Sequence, residues 1–223
     1  MIIPTLNAAN GLKHTIDALS PAVREGLISE VLVADGGSVD DTRAQALAAG
    51  GRIVDSARGR GVQLATGGNA ASGDWLMFLH ADTVLEPGWE RAVRDFIAKP
   101  ASKTRAAAFR FRLDDDSRVA RRMEKIVAWR CSWFGLPYGD QGLVISREFY
   151  DRLGGYRPFL LMEDVDLVRR IGRRRLEILE ARAITSAAKY GAAGYGPRTA
   201  RNLTCLLLYY LKVPPRLIVR LYY

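Results

Sequence analysis

The stretch that decides the fold is Trp75-Leu76-Met77-Phe78-Leu79-His80-Ala81-Asp82-Thr83, where an unbroken apolar run gives way to a polar end. The turn-forming residues Gly73-Asp74 precede it and Glu86-Pro87-Gly88 follow it. A short apolar run with such borders predicts a strand that is buried on both faces, as in a parallel sheet. Because the carboxyl ends of such strands face the ligand crevice of α/β proteins, Asp82 should lie at that crevice.

Two interpretations of Asp82 are open on these residues alone. A carboxylate at a strand end can hold a hard divalent cation, and the cation can neutralise a diphosphate. Alternatively, Asp82 caps the next turn, with Pro87 at the first position of a helix. His80 is more typical of a hydrogen-bonded core histidine than of a metal ligand.

Apolar periodicity divides the chain into alternating strands and helices before Asp82 and into a less regular pattern after it. Strand, helix, strand, helix, strand, helix, strand is the order that predicts an α/β fold with a mostly parallel central sheet between helical layers. No repeat or linker is visible. We expect strands at 2–5, 30–34, 52–55, 75–79, 106–113 and 142–146, helices at 7–19, 41–50, 58–73, 87–98, 117–129, 147–153, 163–174 and 199–212, and an aromatic loop at 131–138.

Composition limits the classes of partner. The 223 residues are 48% hydrophobic and 26% charged, which is ordinary for a globular protein, but the net charge is +9. This excess favours anionic partners: nucleotide phosphates, an acidic membrane surface or nucleic acid. No nucleic-acid reader motif is present, so nucleic acid is not expected. Cys131 and Cys205 lack metal-ligand spacing, and neither a signal peptide nor a membrane span is visible, which favours a cytoplasmic protein with reduced thiols.

Three predicted strand ends deliver polar residues to one side of the sheet, at residues 5–7, 35–38 and 80–82. Asp35 could accept hydrogen bonds from a base or ribose, although an isolated Asp at this position is more often a turn or cap residue. Arg58-Gly59-Arg60-Gly61 offers guanidinium groups and a helix N-terminus to phosphate. The segment matches neither the dinucleotide motif nor the P-loop.

Two segments in the second half of the chain contain acidic residues that could act in a site. Glu163 and Asp164 open a predicted helix, where acids commonly complement the helix dipole; the functional alternative is a general base that takes a proton from an attacking hydroxyl. Asp140, in Gly139-Asp140-Gln141-Gly142, is an acceptor-side candidate or a turn residue. No nucleophile motif supports covalent catalysis.

Taken together, these motifs resemble family 2 glycosyltransferases with a GT-A fold, the Rossmann-like fold of nucleotide-diphospho-sugar transferases. The tetrapeptide at 139–142 and Tyr-Leu-Lys-Val-Pro-Pro at 210–215 resemble a compact bacterial subgroup. The resemblance implies inverting, non-processive transfer of a sugar from a nucleoside-diphosphate donor to an acceptor hydroxyl, with Mn²⁺ or Mg²⁺. It also implies a single domain, with a nucleotide-binding half at 1–83, an acceptor half at 84–196 and a C-terminal helical segment at 197–223. The motifs that carry the resemblance lie at 3–7, 33–42, 59–63, 73–83 and 162–164.

Site roles follow from the same resemblance. Asp82 would hold the metal, Asp164 would be the catalytic base with Glu163 beside it, and Asp140 and Gln141 would lie on the acceptor side. His80 replaces the first acid of the family's Asp-X-Asp element, and the Gln-X-X-Arg-Trp element of processive synthases is missing. The residues expected to bind the nucleotide sugar are Thr5, Asn7, Asp35, Gly36, Arg60, Gln63 and Ala81.

Two further alternatives concern partners and function. The C-terminal segment, with Leu203, Leu207 and Tyr210 followed by basic residues, most simply packs on the domain. A sharper hypothesis docks it on an acidic membrane at the inner face, near a lipid-linked acceptor. The altered His80 position also permits a non-catalytic nucleotide-sugar-binding module instead of an enzyme.

Overall fold

A computed structural model of the chain describes residues 1–187 and 195–222. The strands are β1 (Ile2–Thr5), β2 (Leu32–Asp35), β3 (Arg52–Asp55), β4 (Trp75–Phe78), β5 (Thr83–Leu85), β6 (Ala106–Leu113), β7 (Leu143–Ser146) and β8 (Leu176–Thr185). The helices are α1 (Ala9–Arg24), α2 (Thr42–Ala48), α3 (Arg60–Ala70), α4 (Trp89–Ile97), α5 (Arg118–Phe134), α6 (Arg147–Arg152), α7 (Glu163–Ile171), α8 (Tyr195–Tyr210) and α9 (Pro215–Tyr222).

One sheet connects all these strands in the order β3-β2-β1-β4-β7-β6-β8-β5. In the first half, β1 pairs in parallel with β2 and β4, and β2 pairs in parallel with β3. In the second half, β7 is antiparallel to β4 and β6, while β8 is parallel to β6 and antiparallel to β5. The predicted α/β class with a mostly parallel central sheet is confirmed.

Helices cover both faces of the sheet because successive strand residues point to opposite sides. Ile3 lies in the apolar cluster under α1 and α4, together with Leu12 and Trp89. Ile2 lies in the cluster on the other face, where α3, α6 and α7 contribute Leu64, Phe149 and Leu167, among others. The result is the predicted three-layer arrangement.

Several predicted boundaries and elements are wrong. The aromatic loop predicted at 131–138 begins only after Phe134, since α5 continues until Gly135 adopts a left-handed φ of 59°. Likewise, Gly172, with φ 81°, ends α7 before residue 174. The strands β5 and β8 and the helix α9 were not predicted at all. Among the described residues, no helix is both long and apolar enough to span a bilayer.

Candidate active site

The ends of β1 and β2 lie side by side and fix the first part of the site. Thr5 and Asp35 are register partners, and the Thr5 hydroxyl donates to Asp35 Oδ1 at 3.0 Å. The hydroxyl and backbone N–H of Ser38 also donate to the carboxylate, at 2.5 and 3.0 Å. Burial raises the pKa of Asp35, but the hydrogen bonds from Ser38 and Thr5 outweigh burial and lower it below its ordinary value. Asp35 therefore stays ionised in a rigid setting.

Gln63 fastens these two strand ends from α3. Its Nε2 donates to Ala34 O at 3.1 Å and also to Thr5 O, and its side chain is buried. A Cβ at Gly36 would lie 3.0 Å from this same nitrogen, so glycine permits the close approach. Gln63 and Gly36 thus shape the predicted nucleotide side of the site, where Gln63 also lines a cleft.

Asp82 lines a cleft of about 610 Å³ together with Asn7, Ala81 and Arg60, three residues predicted to bind the nucleotide sugar. Backbone contacts fix the position of Asp82. Its carbonyl accepts from Ser186 N at 3.1 Å.

Helix α1 packs tightly against the same strand end. The Thr15 hydroxyl donates to Ala81 O at 2.9 Å. A Cβ at Gly11 would lie 2.8 Å from that oxygen and 3.2 Å from Asp82 Cα, so only glycine allows this packing distance. The side of the cleft that carries Asp82 is therefore braced by α1, which sequence reasoning missed because an isolated glycine inside a helix gives no sign of its neighbours.

Arg60 lies where this cleft meets a second cleft of about 510 Å³ that Thr5 and Gln63 also line. Its Nε donates to Glu163 Oε1, and 38% of the Arg60 side chain remains exposed. Burial lowers the pKa of Arg60, but the Glu163 and Asp164 carboxylates outweigh burial and hold it above its ordinary value. A permanent cation is thus aimed at both clefts.

Glu163, which was predicted to be catalytic beside Asp164, is fully buried behind Arg60. Burial raises the pKa of Glu163, and the Arg60 guanidinium opposes this change. Its Oε1 accepts the hydrogen bond from Arg60, and the side chain does not reach solvent. Glu163 therefore holds the Arg60 guanidinium in place, and its catalytic role stays a prediction.

Asp164 is held at the start of α7, next to the loop that follows α5. Its Oδ2 accepts from Gly139 N at 2.9 Å and its Oδ1 accepts from Val165 N at 2.7 Å. Each oxygen retains a second lone pair, so the carboxylate can still accept a proton. Asp164 shares a small cleft of about 60 Å³ with Arg60 and Tyr138, and thus borders the same region as the Asp82 cleft.

Asp140 and Gln141 were both predicted to lie on the acceptor side, but their side chains have different surroundings. Gln141 is buried; its Nε2 donates to Phe109 O at 2.9 Å and its Oε1 accepts from the Cys131 thiol at 3.3 Å. Through these internal bonds Gln141 anchors the loop, and its place on the acceptor side stays a prediction.

Asp140 sits in a different environment from its neighbour. Its Oδ1 is buried without a hydrogen-bond partner. Burial raises the pKa of Asp140 to about 6; Arg130 opposes this, and the Asp164 and Asp82 carboxylates add to it. The charges of Asp164 and Asp82 therefore act on Asp140, which follows the Gly139 N–H that binds Asp164.

Arg130 and Tyr138 were not predicted as part of the site. The Arg130 guanidinium lies 3.5 Å from the centroid of the Tyr138 ring, and its Nε donates to Leu136 O at 2.9 Å. The cation–π contact stiffens the loop that carries Asp140. Arg130 had no distinguishing signal within a basic helix, whereas Tyr138 directly precedes Gly139-Asp140.

The donor set fits a divalent cation that is only partly held by protein. In the described part of the chain, no group of three His, Cys, Asp or Glu side chains could enclose a metal ion. Mg²⁺ and similar cations are commonly held by one or two carboxylates together with substrate phosphates and water. Asp82, on the wall of a cleft large enough for a nucleotide, provides such a carboxylate.

A sheet that changes from parallel to antiparallel strands, with its cleft at the ends of the parallel strands, defines a GT-A glycosyltransferase fold. Residues 1–160 match the model of glycosyl transferase family 2, and the chain belongs to that family.

Curated relatives support this assignment over a limited length. Glucosyl-3-phosphoglycerate synthase from Mycobacterium tuberculosis is 34% identical over 93 residues, which cover 38% of this chain and 28% of the relative. The same enzyme from Mycolicibacterium paratuberculosis is 33% identical over 93 residues, with the same coverage of 38% and 28%. The match thus spans little more than a quarter of these relatives.

Solved structures give the same fold. The M. tuberculosis synthase in complex with Mn²⁺, UDP and phosphoglyceric acid has a TM-score of 0.59 at 25% identity, covering 79% of this chain and 66% of that one. A complex of the synthase with Mn²⁺, UDP-glucose and phosphoglyceric acid has a TM-score of 0.61 at 22% identity, covering 96% and 79%, which supports the fold alone.

Proposed function

We propose that this protein transfers a sugar from a UDP-sugar donor to an acceptor hydroxyl, in a metal-assisted, inverting and non-processive reaction. The observation that carries the proposal is that Asp82, Arg60 and Asp164 border connected clefts beside the ends of the parallel strands. The related synthase, whose structure contains Mn²⁺ and UDP, supports the choice of donor. Residues 1–83 would bind the nucleotide, residues 84–196 the acceptor, and 197–223 would form a C-terminal segment.

On the donor side, Asp35 and Thr5 would flank the base and Arg60 would lie near the diphosphate. A Mn²⁺ or Mg²⁺ ion held by Asp82 would neutralise negative charge on the departing diphosphate. Arg60 adds a fixed positive charge, and Glu163 keeps its guanidinium in place. Preorganised charge of this kind stabilises the transition state without reorganisation during the reaction.

On the acceptor side, Asp164 would take the proton from the attacking hydroxyl. Attack on the anomeric carbon from the face opposite the diphosphate inverts its configuration. The backbone N–H groups of Gly139 and Val165 orient the carboxylate. A general base acts through such fixed geometry and typically contributes about 10²–10⁴-fold to the rate. Asp140 would border the acceptor.

The proposal is tested by measuring UDP binding with and without Mn²⁺ and then sugar transfer from a panel of UDP-sugars, with phosphoglyceric acid among the acceptors. We expect Mn²⁺-dependent binding by the wild type, loss of that dependence in Asp82→Asn, and binding without turnover in Asp164→Asn. Binding by the wild type with no sugar release for any donor would instead support a non-catalytic nucleotide-sugar-binding module.

We further propose that the acceptor is lipid-linked and lies at the inner face of the cytoplasmic membrane. Helix α8 packs Cys205 inward and exposes Leu203, Leu207 and Tyr210 on another face. This exposed face supports contact with a membrane surface near such an acceptor.

A further inference from the structure

Helix α5 exposes a cluster of large aromatic side chains. Trp129 is 55% exposed and Trp133 is 64% exposed, and Phe134 is exposed beside them. The ring centroids of Trp129 and Trp133 are 6.3 Å apart, and those of Trp129 and Phe134 are 5.4 Å apart. Together with the exposed Val119 and Ile126, these residues form what we call the aromatic face of α5.

This face is separate from the side of α5 that packs on the protein. The packed side presents Ala120 and Met123 to the strand residues Phe111 and Leu113. Positions 119, 122, 126, 129 and 133 are spaced alternately by three and four residues, so they share one helical face. The helix therefore carries a second apolar stripe that remains exposed in the described part of the chain.

Basic residues accompany the stripe. Arg122 lies within it, and the exposed Arg118 and Lys125 lie within one turn along the same side. Glu124, the acid within α5, is on the other face and pairs with Arg121 at 2.6 Å. The solvent-facing surface of α5 is consequently both apolar and cationic.

We infer that the aromatic face of α5 docks on an anionic phospholipid surface, with the helix lying in the interfacial plane. Trp and Phe rings favour the boundary between headgroups and acyl chains, and nearby Lys and Arg are attracted to anionic headgroups. A second copy of the chain fits this face less well, since a two-fold contact would bring Arg122 and Lys125 towards their own symmetry mates.

Docking through α5 would also orient the site. The helix ends at Phe134, and the following loop carries Tyr138, Asp140 and the Gly139 N–H that binds Asp164. A bilayer beneath α5 would lie next to the segment assigned to the acceptor. This orientation rests on the proposed function, whereas docking itself does not.

The test is co-sedimentation of the full chain with vesicles of equal parts phosphatidylcholine and phosphatidylglycerol, compared with phosphatidylcholine alone. We expect binding to the anionic vesicles that weakens as salt is raised, together with a blue shift of tryptophan emission. Trp89 is buried in the core, so it contributes little to a shift caused by the bilayer.

Two variants address the aromatic face directly. Trp129→Ser/Trp133→Ser and Arg122→Glu/Lys125→Glu should each weaken vesicle binding by at least about tenfold. Their urea unfolding curves should match the wild type, because all four side chains lie outside the core. Val23→Ser/Leu47→Ser, at exposed apolar residues of α1 and α2, is the matched control and should retain most of the binding.

Three results would overturn the inference. One is no binding to anionic vesicles by the wild type. Another is full vesicle binding by both α5 variants, which would move the contact to another surface, such as the exposed face of α8. The third is a dimer, seen by sedimentation velocity, that Trp129→Ser/Trp133→Ser abolishes, since this would assign the face to a second copy. None of these results bears on sugar transfer.

Discussion

Replacing Gly11 with alanine tests whether α1 fixes the strand end that carries Asp82. The added Cβ would lie 2.8 Å from Ala81 O and 3.2 Å from Asp82 Cα. Both neighbours belong to the backbone, so they cannot rotate away as a flexible side chain could. Thr15, one turn further along α1, also binds Ala81 O at 2.9 Å. Either the helix or the segment at 81–82 must therefore move.

Two opposing effects set the change in stability. Alanine is favoured over glycine within a helix by up to about 1 kcal/mol. Overpacking against fixed neighbours typically costs about 1–3 kcal/mol. The free energy of unfolding should therefore fall by about 0–2 kcal/mol. Activity should be more sensitive, because misplacing a reacting group by about 1 Å can cost about 100-fold; we expect kcat/KM to fall at least about tenfold and the Mn²⁺ requirement to rise.

The assay combines urea unfolding, Mn²⁺ titration of activity and steady-state kinetics. Gly196→Ala in α8 is the matched control, since no described atom lies within 4 Å of its added Cβ. This control should retain wild-type kinetics. A Gly11→Ala protein that gains stability and keeps the wild-type Mn²⁺ dependence would refute the proposed bracing of Asp82 by α1.

Three other substitutions probe the buried polar groups. Glu163→Gln should lower the free energy of unfolding by about 1–2 kcal/mol, which is less than for a fully buried ion pair because Arg60 is 38% exposed. The same substitution should raise KM for the donor, and an unchanged KM would contradict the role of Glu163 in positioning Arg60. Gln141→Ala leaves the Phe109 carbonyl unsatisfied and should cost about 1–3 kcal/mol in thermal or urea unfolding, and wild-type stability would show that water replaces the amide. Asp140→Asn should be more stable than the wild type by about 1–3 kcal/mol at neutral pH without added metal, because burial raises the pKa of Asp140 from 3.8 to about 6 in the folded state. The cost of ionising Asp140 in the folded state is absent below pH 3.8, grows as pH rises towards 6 and is complete above it. A stability difference between Asp140→Asn and the wild type that is the same at all pH values would therefore show that ionisation of Asp140 is not its cause.

The parallel half of the fold could be predicted because local signals agree with the tertiary structure there. The strand at Arg52–Asp55 was predicted with its observed bounds, and the strand that begins at Trp75 was predicted from its apolar run. Its polar end correctly placed Asp82 on the wall of a cleft. In this half, β1, β2 and β3 are short and each is followed by a helix, so pattern and topology give the same answer.

The antiparallel half was harder to predict because its strands depend on distant partners. β8 contains Glu177, Glu180 and Arg182 and shows little apolar alternation, yet it pairs with β6 over most of its length. Three residues of β5 form a strand only because β8 lies beside them. Such pairings override local propensity.

The internal contacts of Gln141 and Glu163 could not be predicted for the same reason: their partners are distant in sequence. A glutamine beside an acidic motif looks like a ligand-binding residue, and nothing nearby in sequence identifies Phe109 O as its partner. Glu163 is separated from Arg60 by 103 positions, so their pairing is set by the packing of α3 against α7. Motif resemblance located these residues at the site but did not distinguish contact with substrate from support of a neighbour.

The central claim is that Asp82 acts through a cation on a diphosphate held in the cleft beside Arg60. Calorimetric titration of UDP into wild-type and Asp82→Asn protein, each with and without Mn²⁺, measures this coupling directly. We predict that Mn²⁺ strengthens UDP binding by the wild type at least about tenfold and leaves the weaker binding of the variant unchanged. Equal strengthening by Mn²⁺ in both proteins would contradict the claim.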